Sequence, residues 1–321
     1  MSESKKNSPS VRFVDVETDW AGQRIDNFLL RQLKGVPKSY IYRILRKGEV
    51  RVNKGRVKAL YRLNAGDRVR IPPIRLPAAA APVQPAKALL DQLEKAILFE
   101  DERFLVLNKP SGLAVHGGSG MSFGVIEVLR RLRPDQPHLE LVHRLDRETS
   151  GCLLISKRRS ALRTLHELIR QNSVDKRYLA LVAGSWRKGS RVVDLPLLKN
   201  TLQGGERMVR VDPDGKSAET RFKRVQRYAK ATLVEAELVT GRTHQIRVHS
   251  ASLGSPILGD DKYGDAEANR WAKDLGLKRL FLHAYSLRFR WPGEMTDIRI
   301  QAPLPENLEN VLKKLKEINE V

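Results

Sequence analysis

Apolar positions first fall into order after Gly22, where Ile25, Phe28, Leu29 and Leu33 recur at intervals of three and four and so share one face of a helix. Pro37 interrupts the pattern. Ser39 is placed to cap a second helix over SYIYRILRKG, with Ile41 and Leu45 inward and Gly48 as its stop. VRVNKGRV follows as two short strands about a turn at Asn53, Lys54 and Gly55, and DRVRIP puts Val69 and Ile71 on one face of another strand. These elements predict a small α+β unit over residues 21–75. Residues 1–20 carry little periodicity and are expected to form a disordered N-terminus.

A longer pattern begins near residue 93. AILFE and RFLVLNKP predict strands joined at Asp101–Glu102, SFGVIEVLRRL a helix capped by Ser122, GCLLISK a strand, and SALRTLHELIRQN a helix capped by Ser160. RYLALVAG is a further strand, and TRFKRVQRY and ATLVEAELV form a hairpin across Ala229–Lys230. THQIRVHSASLG predicts a helix between Thr243 and Gly254, and LFLHAYSLRFRW a late pair of strands. Strands outnumber helices without alternating with them. The expected fold class is therefore α+β, with a mixed, mostly antiparallel sheet and flanking helices over 93–321. Prolines 72, 73, 77, 82 and 85 around an alanine run predict a semi-rigid connector over 76–92.

Composition narrows what such a chain can do. Its 321 residues suit about two domains, and 41% hydrophobic residues suffice for a core and exclude a wholly disordered chain. No apolar run approaches the roughly 18–20 residues of a membrane span, and MSESKKNSPS lacks the apolar stretch of a secretory signal. A lone cysteine, Cys152, excludes an internal disulfide and a multi-cysteine metal site, and a cytoplasmic protein is expected. The net charge of +22 points to polyphosphate. Between Gly22 and Arg75 stand fifteen Lys and Arg against three acids, Asp26, Glu49 and Asp67. Charge runs commonly just solvate a face, but here few acids interleave, and like charges repel unless an anion lies over them. RNA or DNA is the expected partner, with Arg24, Lys38, Arg43, Arg46, Lys47, Arg51, Lys54 and Arg56 as candidate contacts.

Familiar cofactor motifs are missing. No GxxxxGKS or GxxxxGKT run is present, and GGSGMSFG at 117–124 lacks the next glycine that dinucleotide binding requires. That segment suits a turn, or a loop whose backbone approaches a phosphate. His166–Glu167 is no HExxH, because position 170 is Arg, and the zinc deaminase pattern is absent. No metal and no cofactor are expected.

Two charged segments remain. HRLDRETSG, 143–151, lies between apolar pieces, so its charges must pair or face a cleft. Asp146 there is either a turn-capping aspartate bonding toward Thr149 or an ionised carboxylate at a cleft floor, kept ionised by nearby arginines. In TGRTHQIRVH, 240–249, Arg242 stands at a strand-to-helix junction where it could grip a carboxylate or phosphate, and Thr243 can cap. Arg247 and His249 are expected on a solvated or packed helix face.

Together with LNKPSGLAVH (107–116) and KRYLALVAG (176–184), these segments resemble the ribosomal-large-subunit branch of the pseudouridine synthases, and residues 22–75 resemble the S4-type RNA-binding module many members carry. Departures are slight: Glu148 where Asp is commoner, and Cys152 where Val is. The resemblance implies that Asp146 is the catalytic aspartate, that Arg242 pairs with it, and that Tyr178 stacks on the target base. It further implies that Arg144 replaces or supports the flipped uridine, and that Lys109 and His143 belong to the substrate site. The implied partner is 23S ribosomal RNA, with no cofactor, metal or membrane. A monomer is expected, since no unexplained apolar helix asks for a partner. Two other readings use the same residues: a non-catalytic rRNA-binding assembly factor, and a glycosylase or nuclease acting through the same carboxylate.

Overall fold

A computed structural model describes residues 10–320, apart from 34, 75–84, 118–122, 187–188 and 202–206. The chain divides between Gln84 and Pro85 into two compact units. Most of the proline-rich connector and the Ser122 cap lie outside the described residues.

The first unit runs β1 (Arg12–Asp15), α1 (Ile25–Gln32), α2 (Lys38–Arg46), β2 (Arg51–Val52), β3 (Gly55–Arg56) and β4 (Arg68–Ile71), with sheet order β1-β4-β2-β3. Its core gathers the expected faces: Ile25, Phe28, Leu29 and Leu33 of the first helical stretch meet Ile41, Ile44 and Leu45 of α2 and Val69 and Ile71 of β4. Asn53 and Lys54 both take left-handed backbone, φ 49° and 68°, as a tight two-residue hairpin turn requires. Two expectations are corrected. Residues 1–20 are not wholly disordered, because β1 pairs antiparallel with β4; of this edge strand only Val14 packs on the core, so it leaves little trace in the hydrophobic pattern. Ser39 is not a cap, since Pro37 holds the N-cap position of α2 and its fixed φ of −57° already suits the approach to a helix.

The second unit opens earlier than expected, with α3 (Lys87–Lys95) beginning inside the stretch assigned to the connector. It continues β5 (Ile97–Glu100), β6 (Phe104–Lys109), α4 (Val125–Leu132), β7 (Glu140–Leu141), β8 (Ser150–Ser156), α5 (Arg159–Arg170), β9 (Val174–Ala183) and β10 (Ser190–Asp194). Then come β11 (Leu197–Thr201), β12 (Arg207–Val211), β13 (Glu219–Arg227), β14 (Ala231–Leu238), α6 (Gln245–Ser252), α7 (Ala266–Asp274), β15 (Leu282–Arg290), β16 (Asp297–Gln301) and α8 (Glu306–Glu320). The main sheet has the order β10-β13-β14-β9-β15-β8-β6-β5, with β16 beside β15 and β7 beside β8, while β11 and β12 form a separate hairpin. Among the described residues only β15 and β8 pair in parallel, so the sheet is mixed and mostly antiparallel, as the pattern predicts. The late apolar run is one strand, β15, whose partner β16 lies beyond it.

Both faces of the sheet are covered, which explains the unbroken apolar runs in β6 and β8. Leu105, Leu107, Leu153 and Ile155 point to one core with α3, α4 and α6, while Phe104, Val106, Cys152 and Leu154 point to the other beneath α5. Arg158, not Ser160, is the N-cap of α5, and Gly124 that of α4, where the Glu127 carboxylate accepts the Gly124 amide at 2.8 Å. Gly151 sits where β8 meets β15, with φ 107°, and a Cβ there would lie 2.2 Å from the Ala284 carbonyl oxygen. Only glycine lets the strand following Asp146 approach β15 this closely.

Candidate active site

Asp146 sits in the loop between β7 and β8. That loop is held by backbone acceptors: Gly112 N–H donates to the Arg147 carbonyl at 2.9 Å, and Ser111 Oγ to the Glu148 carbonyl at 2.8 Å. Lys109 adds the tightest support. Its Nζ donates to the carbonyls of Pro110 (2.8 Å), Leu113 (2.7 Å) and Arg147 (3.0 Å), from a fully buried position. Burial and the nearby Arg279 charge push the Lys109 ammonium down to about 7. All three contacts of Nζ are to backbone carbonyls in or beside this loop, so Lys109 staples the Asp146 loop, where the resemblance implies a place in the substrate site.

The turn at Asp146 is closed by its main chain, whose carbonyl accepts the Thr149 amide at 3.1 Å. The side chain, 21% exposed, faces α6 instead: its Oδ2 lies 3.5 Å from Arg247 Nη1 and 3.8 Å from His244 Nε2. Arg247 is thus the arginine beside the carboxylate. The expected partner, Arg242, is exposed and donates through Nε to the Ser217 carbonyl at 2.9 Å. Of the two residues expected on a solvated or packed helix face, His249 is packed, bonded to Thr220 Oγ1 and the Leu195 carbonyl, whereas Arg247 is buried but aimed at Asp146.

α6 explains why. Its residues Gln245, Arg247 and His249 are all buried despite being polar. Gln245 ties the helix start to the sheet: its Oε1 accepts from Arg242 N and Thr240 Oγ1, and its Nε2 donates to the Glu219 carbonyl and Thr220 Oγ1, all within 2.9 Å. His244, not Thr243, is the N-cap, in left-handed backbone at φ 54°. Arg247, 9% exposed, grips Asp260 through Nε–Oδ2 and Nη2–Oδ1, both 2.7 Å. Burial opposes ionisation of Asp260, but the guanidinium and the amides of Lys262 and Tyr263 outweigh it and hold the carboxyl below its ordinary value.

Two cavities meet at Asp146. The smaller, about 250 Å³, is walled by Tyr178, Ile246, Leu238 and Leu282 together with His143 and Arg242. The larger, about 1280 Å³, is a cleft edged by basic side chains including Arg147, Lys262, Arg270, Lys273 and Lys278. Arg144, Asp146, His244 and Arg247 line both. Tyr178 is nearly buried, and burial with the Asp146 charge pushes its hydroxyl above the ordinary value, so it is a neutral phenol at physiological pH. Arg144 is exposed at the junction. His143 accepts the Leu154 amide on Nε2 at 3.1 Å, so one face of its expected substrate role is taken up inside the sheet.

The family model for RNA pseudouridylate synthase matches residues 103–252, which include Asp146, Tyr178, His244 and Arg247, and that for the S4 domain matches residues 23–69. The chain is 58% identical over 316 residues to the ribosomal large subunit pseudouridine synthase C of Pasteurella multocida, covering 98% of this chain and 97% of that one. It is 59% identical over 319 residues to the Escherichia coli K12 protein of the same name, covering 97% and 99%. This chain belongs to the pseudouridine synthases. Among solved structures, human RNA pseudouridylate synthase domain containing 4 aligns with a TM-score of 0.59 and 30% identity over 71% of this chain and 96% of that one.

In this pseudouridine synthase the S4 unit spreads its basic residues unevenly. Lys38, Arg43 and Arg46 are exposed on α2, Lys47 at its C-cap, and Arg51, Lys54 and Arg56 on the hairpin that follows. Arg43 lies over the Tyr40 ring at 4.3 Å, a basic-aromatic pairing suited to nucleic acid. Arg24 departs from the expectation, since it is bound to the buried Asp26 at 2.5 Å, where Tyr42 also donates. No group of three or more acidic, histidine or cysteine side chains able to hold a metal occurs among the described residues. Among them, too, no helix is long and apolar enough to cross a membrane.

Proposed function

We propose that this enzyme isomerises uridines of large-subunit ribosomal RNA to pseudouridine, with Asp146 as the acting carboxylate. One observation carries this reading: Asp146 stands where a small aromatic-walled cavity opens into a wide basic cleft, with Arg247 behind it. The named substrates of the two bacterial relatives support the choice of RNA.

The reaction breaks the N1–C1′ bond, turns the base, joins C5 to C1′, releases the C5 hydrogen as a proton and leaves a proton on N1. Atoms and electrons balance without an oxidant or acceptor. A uridine inside folded RNA must first leave its stack, at a cost of a few kcal/mol. The smaller cavity, about 250 Å³, is close to the lower end of ligand pockets at roughly 300 Å³ and suits a single base. Tyr178 forms its wall and stacks on the base, while Arg144 at the mouth fills the space the base vacates. The ribose then lies at the junction, against Asp146, which either attacks C1′ or removes a C2′ proton. The Arg247 guanidinium, fixed by Asp260, stabilises the carboxylate charge there. The flanking phosphates lie along the basic cleft, and the exposed basic face of the S4 unit adds counterion-releasing contacts elsewhere on the RNA.

Large-subunit rRNA made with uridine tritiated at C5 tests the proposal. Tritium passing to water from RNA of unchanged length is the expected result. Chain cleavage or free uracil would instead identify a nuclease or glycosylase, and binding without release an assembly factor.

A further inference from the structure

His244 is held in left-handed backbone at the start of α6, an unfavourable conformation for a side chain of its kind. Its two ring nitrogens meet different partners. Nε2 faces Asp146 Oδ2 at 3.8 Å, and Nδ1 lies 2.8 Å from the hydroxyl of Tyr263. That hydroxyl has a second neighbour, the backbone N–H of Val209 on β12, at 2.9 Å. An amide can only donate, so the Tyr263 oxygen is its acceptor. The phenol has one proton of its own to place, and the contact left for it among the described residues is His244 Nδ1.

We propose that Tyr263 is a positioning residue, which donates to His244 Nδ1 and thereby fixes a neutral imidazole with its proton on Nε2, facing Asp146. The alternative, Nδ1–H donating to Tyr263, would leave the phenol proton no acceptor among the described residues and present a bare nitrogen lone pair to the carboxylate. The ring environment agrees with a neutral state: burial opposes the imidazolium most, Arg247 and Lys262 add to that, and Asp146 and Asp260 oppose it only in part.

Two consequences follow from the geometry. Arg247 Nη1 and His244 Nε2 both address Oδ2 of Asp146, so Oδ1 is the oxygen offered to substrate. The tautomer is also tied to the seating of the β11–β12 hairpin, whose Val209 amide makes Tyr263 an acceptor on one side and a donor on the other. That hairpin rests on α6 through a small core of its own, Leu197, Val209, Ala218 and Val248 with Tyr263 packed against it. A surface hairpin and the catalytic loop are thereby joined through a single phenol.

The inference rests on the reading of Asp146 as the acting carboxylate, but its first test needs no RNA. In protein labelled with ¹⁵N-histidine, long-range ¹H–¹⁵N spectra at neutral pH report which ring nitrogen carries the proton, and His244→Gln assigns the signal by its loss. The expected spectrum has Nε2 protonated and Nδ1 bare in the wild type, with Tyr263→Phe converting this to a tautomer mixture. The same substitution keeps the ring and its packing and is expected to lower kcat for isomerisation roughly three- to tenfold, the effect of one neutral hydrogen bond, at unchanged KM. In a His244→Gln background, Tyr263→Phe should then have no further effect on kcat. A protonated Nδ1 in the wild type, a spectrum indifferent to Tyr263→Phe, or additive losses in the double variant would overturn the inference. Full activity of Asp146→Asn would instead refute the catalytic reading and leave the tautomer assignment standing.

Discussion

Arg247 and Asp260 meet through two parallel bonds of 2.7 Å, and the remaining nitrogen of the same guanidinium lies 3.5 Å from Asp146. A bidentate grip fixes the plane of the guanidinium, so the third nitrogen is aimed rather than merely nearby. The electrostatic partner of the candidate catalytic group is therefore set by a carboxylate on the loop before α7.

Replacement of Arg247 by Met should lower isomerisation by about a hundredfold or more, the range seen when one preorganised donor is removed. It should also cost roughly 3–5 kcal/mol of stability, because Asp260 is left buried and unpaired. Arg242→Ala should cost little stability and much less rate. Single-turnover kinetics and urea unfolding on both variants separate the two arginines, and a larger rate loss at Arg242 would reverse the assignment.

Lys109→Met tests the staple. Each buried carbonyl that loses its donor costs about 1–3 kcal/mol, and the freed carbonyl of Arg147 loosens the residue next to Asp146. Lower thermal stability and a lower kcat at unaltered RNA affinity are expected. A selective loss of RNA binding would restore Lys109 as a substrate ligand.

Much of this was legible in the residues. Period-3.6 apolar faces gave α1 and α2, turn chemistry gave the β2–β3 hairpin, and a charged stretch between apolar strands marked the Asp146 loop. Motif likeness carried further than periodicity, since it singled out Asp146 and Tyr178 among many charged and aromatic side chains. The pairing of Arg247 was hidden because both arginines of GRTHQIR lie near a helix start, and only the fold shows which one points inward. Asp260 and Tyr263, in GDDKYGD, look like an acidic surface turn; their burial depends on α7 and on Gly259, where close approach to the Arg279 carbonyl leaves no room for a Cβ. Buried Gln245, Arg247 and His249 also blur the apolar face by which α6 would be recognised as a core helix.

The S4 unit is expected to act through charge. The triple change of Arg43, Arg46 and Lys47 to Ala should reduce the slope of log affinity against log salt by roughly 0.7–0.9 for each phosphate no longer neutralised. Turnover at saturating RNA should persist. Arg24→Ala should instead lower stability with little change in the salt slope, because its guanidinium is spent on the buried Asp26, which the substitution strands. Filter binding across a salt series distinguishes these outcomes, and an unchanged slope in the triple variant would argue against the face as an RNA anchor.

Two histidines, His283 buried and His143 partly so, set an acid limit. Burial pushes both His143 and His283 down to about 4 from 6.5. Between these values the unfolded chain binds protons that the folded one does not, so stability is complete above pH 6.5 and falls as pH drops toward 4. The loss approaches roughly 3 kcal/mol per histidine. Urea midpoints should fall through that window, and His283→Asn should flatten the slope; a flat profile in the wild type would contradict the assignment.

The most direct test compares wild type with Asp146→Asn on large-subunit rRNA tritiated at uridine C5, measuring tritium release and RNA affinity on the same preparations. The expected result is abolished release with affinity within about twofold, since the substitution keeps the side chain's size and removes its charge and nucleophilicity. Release at the wild-type rate would contradict a catalytic Asp146, and an equal loss of binding would make it a substrate-holding residue instead.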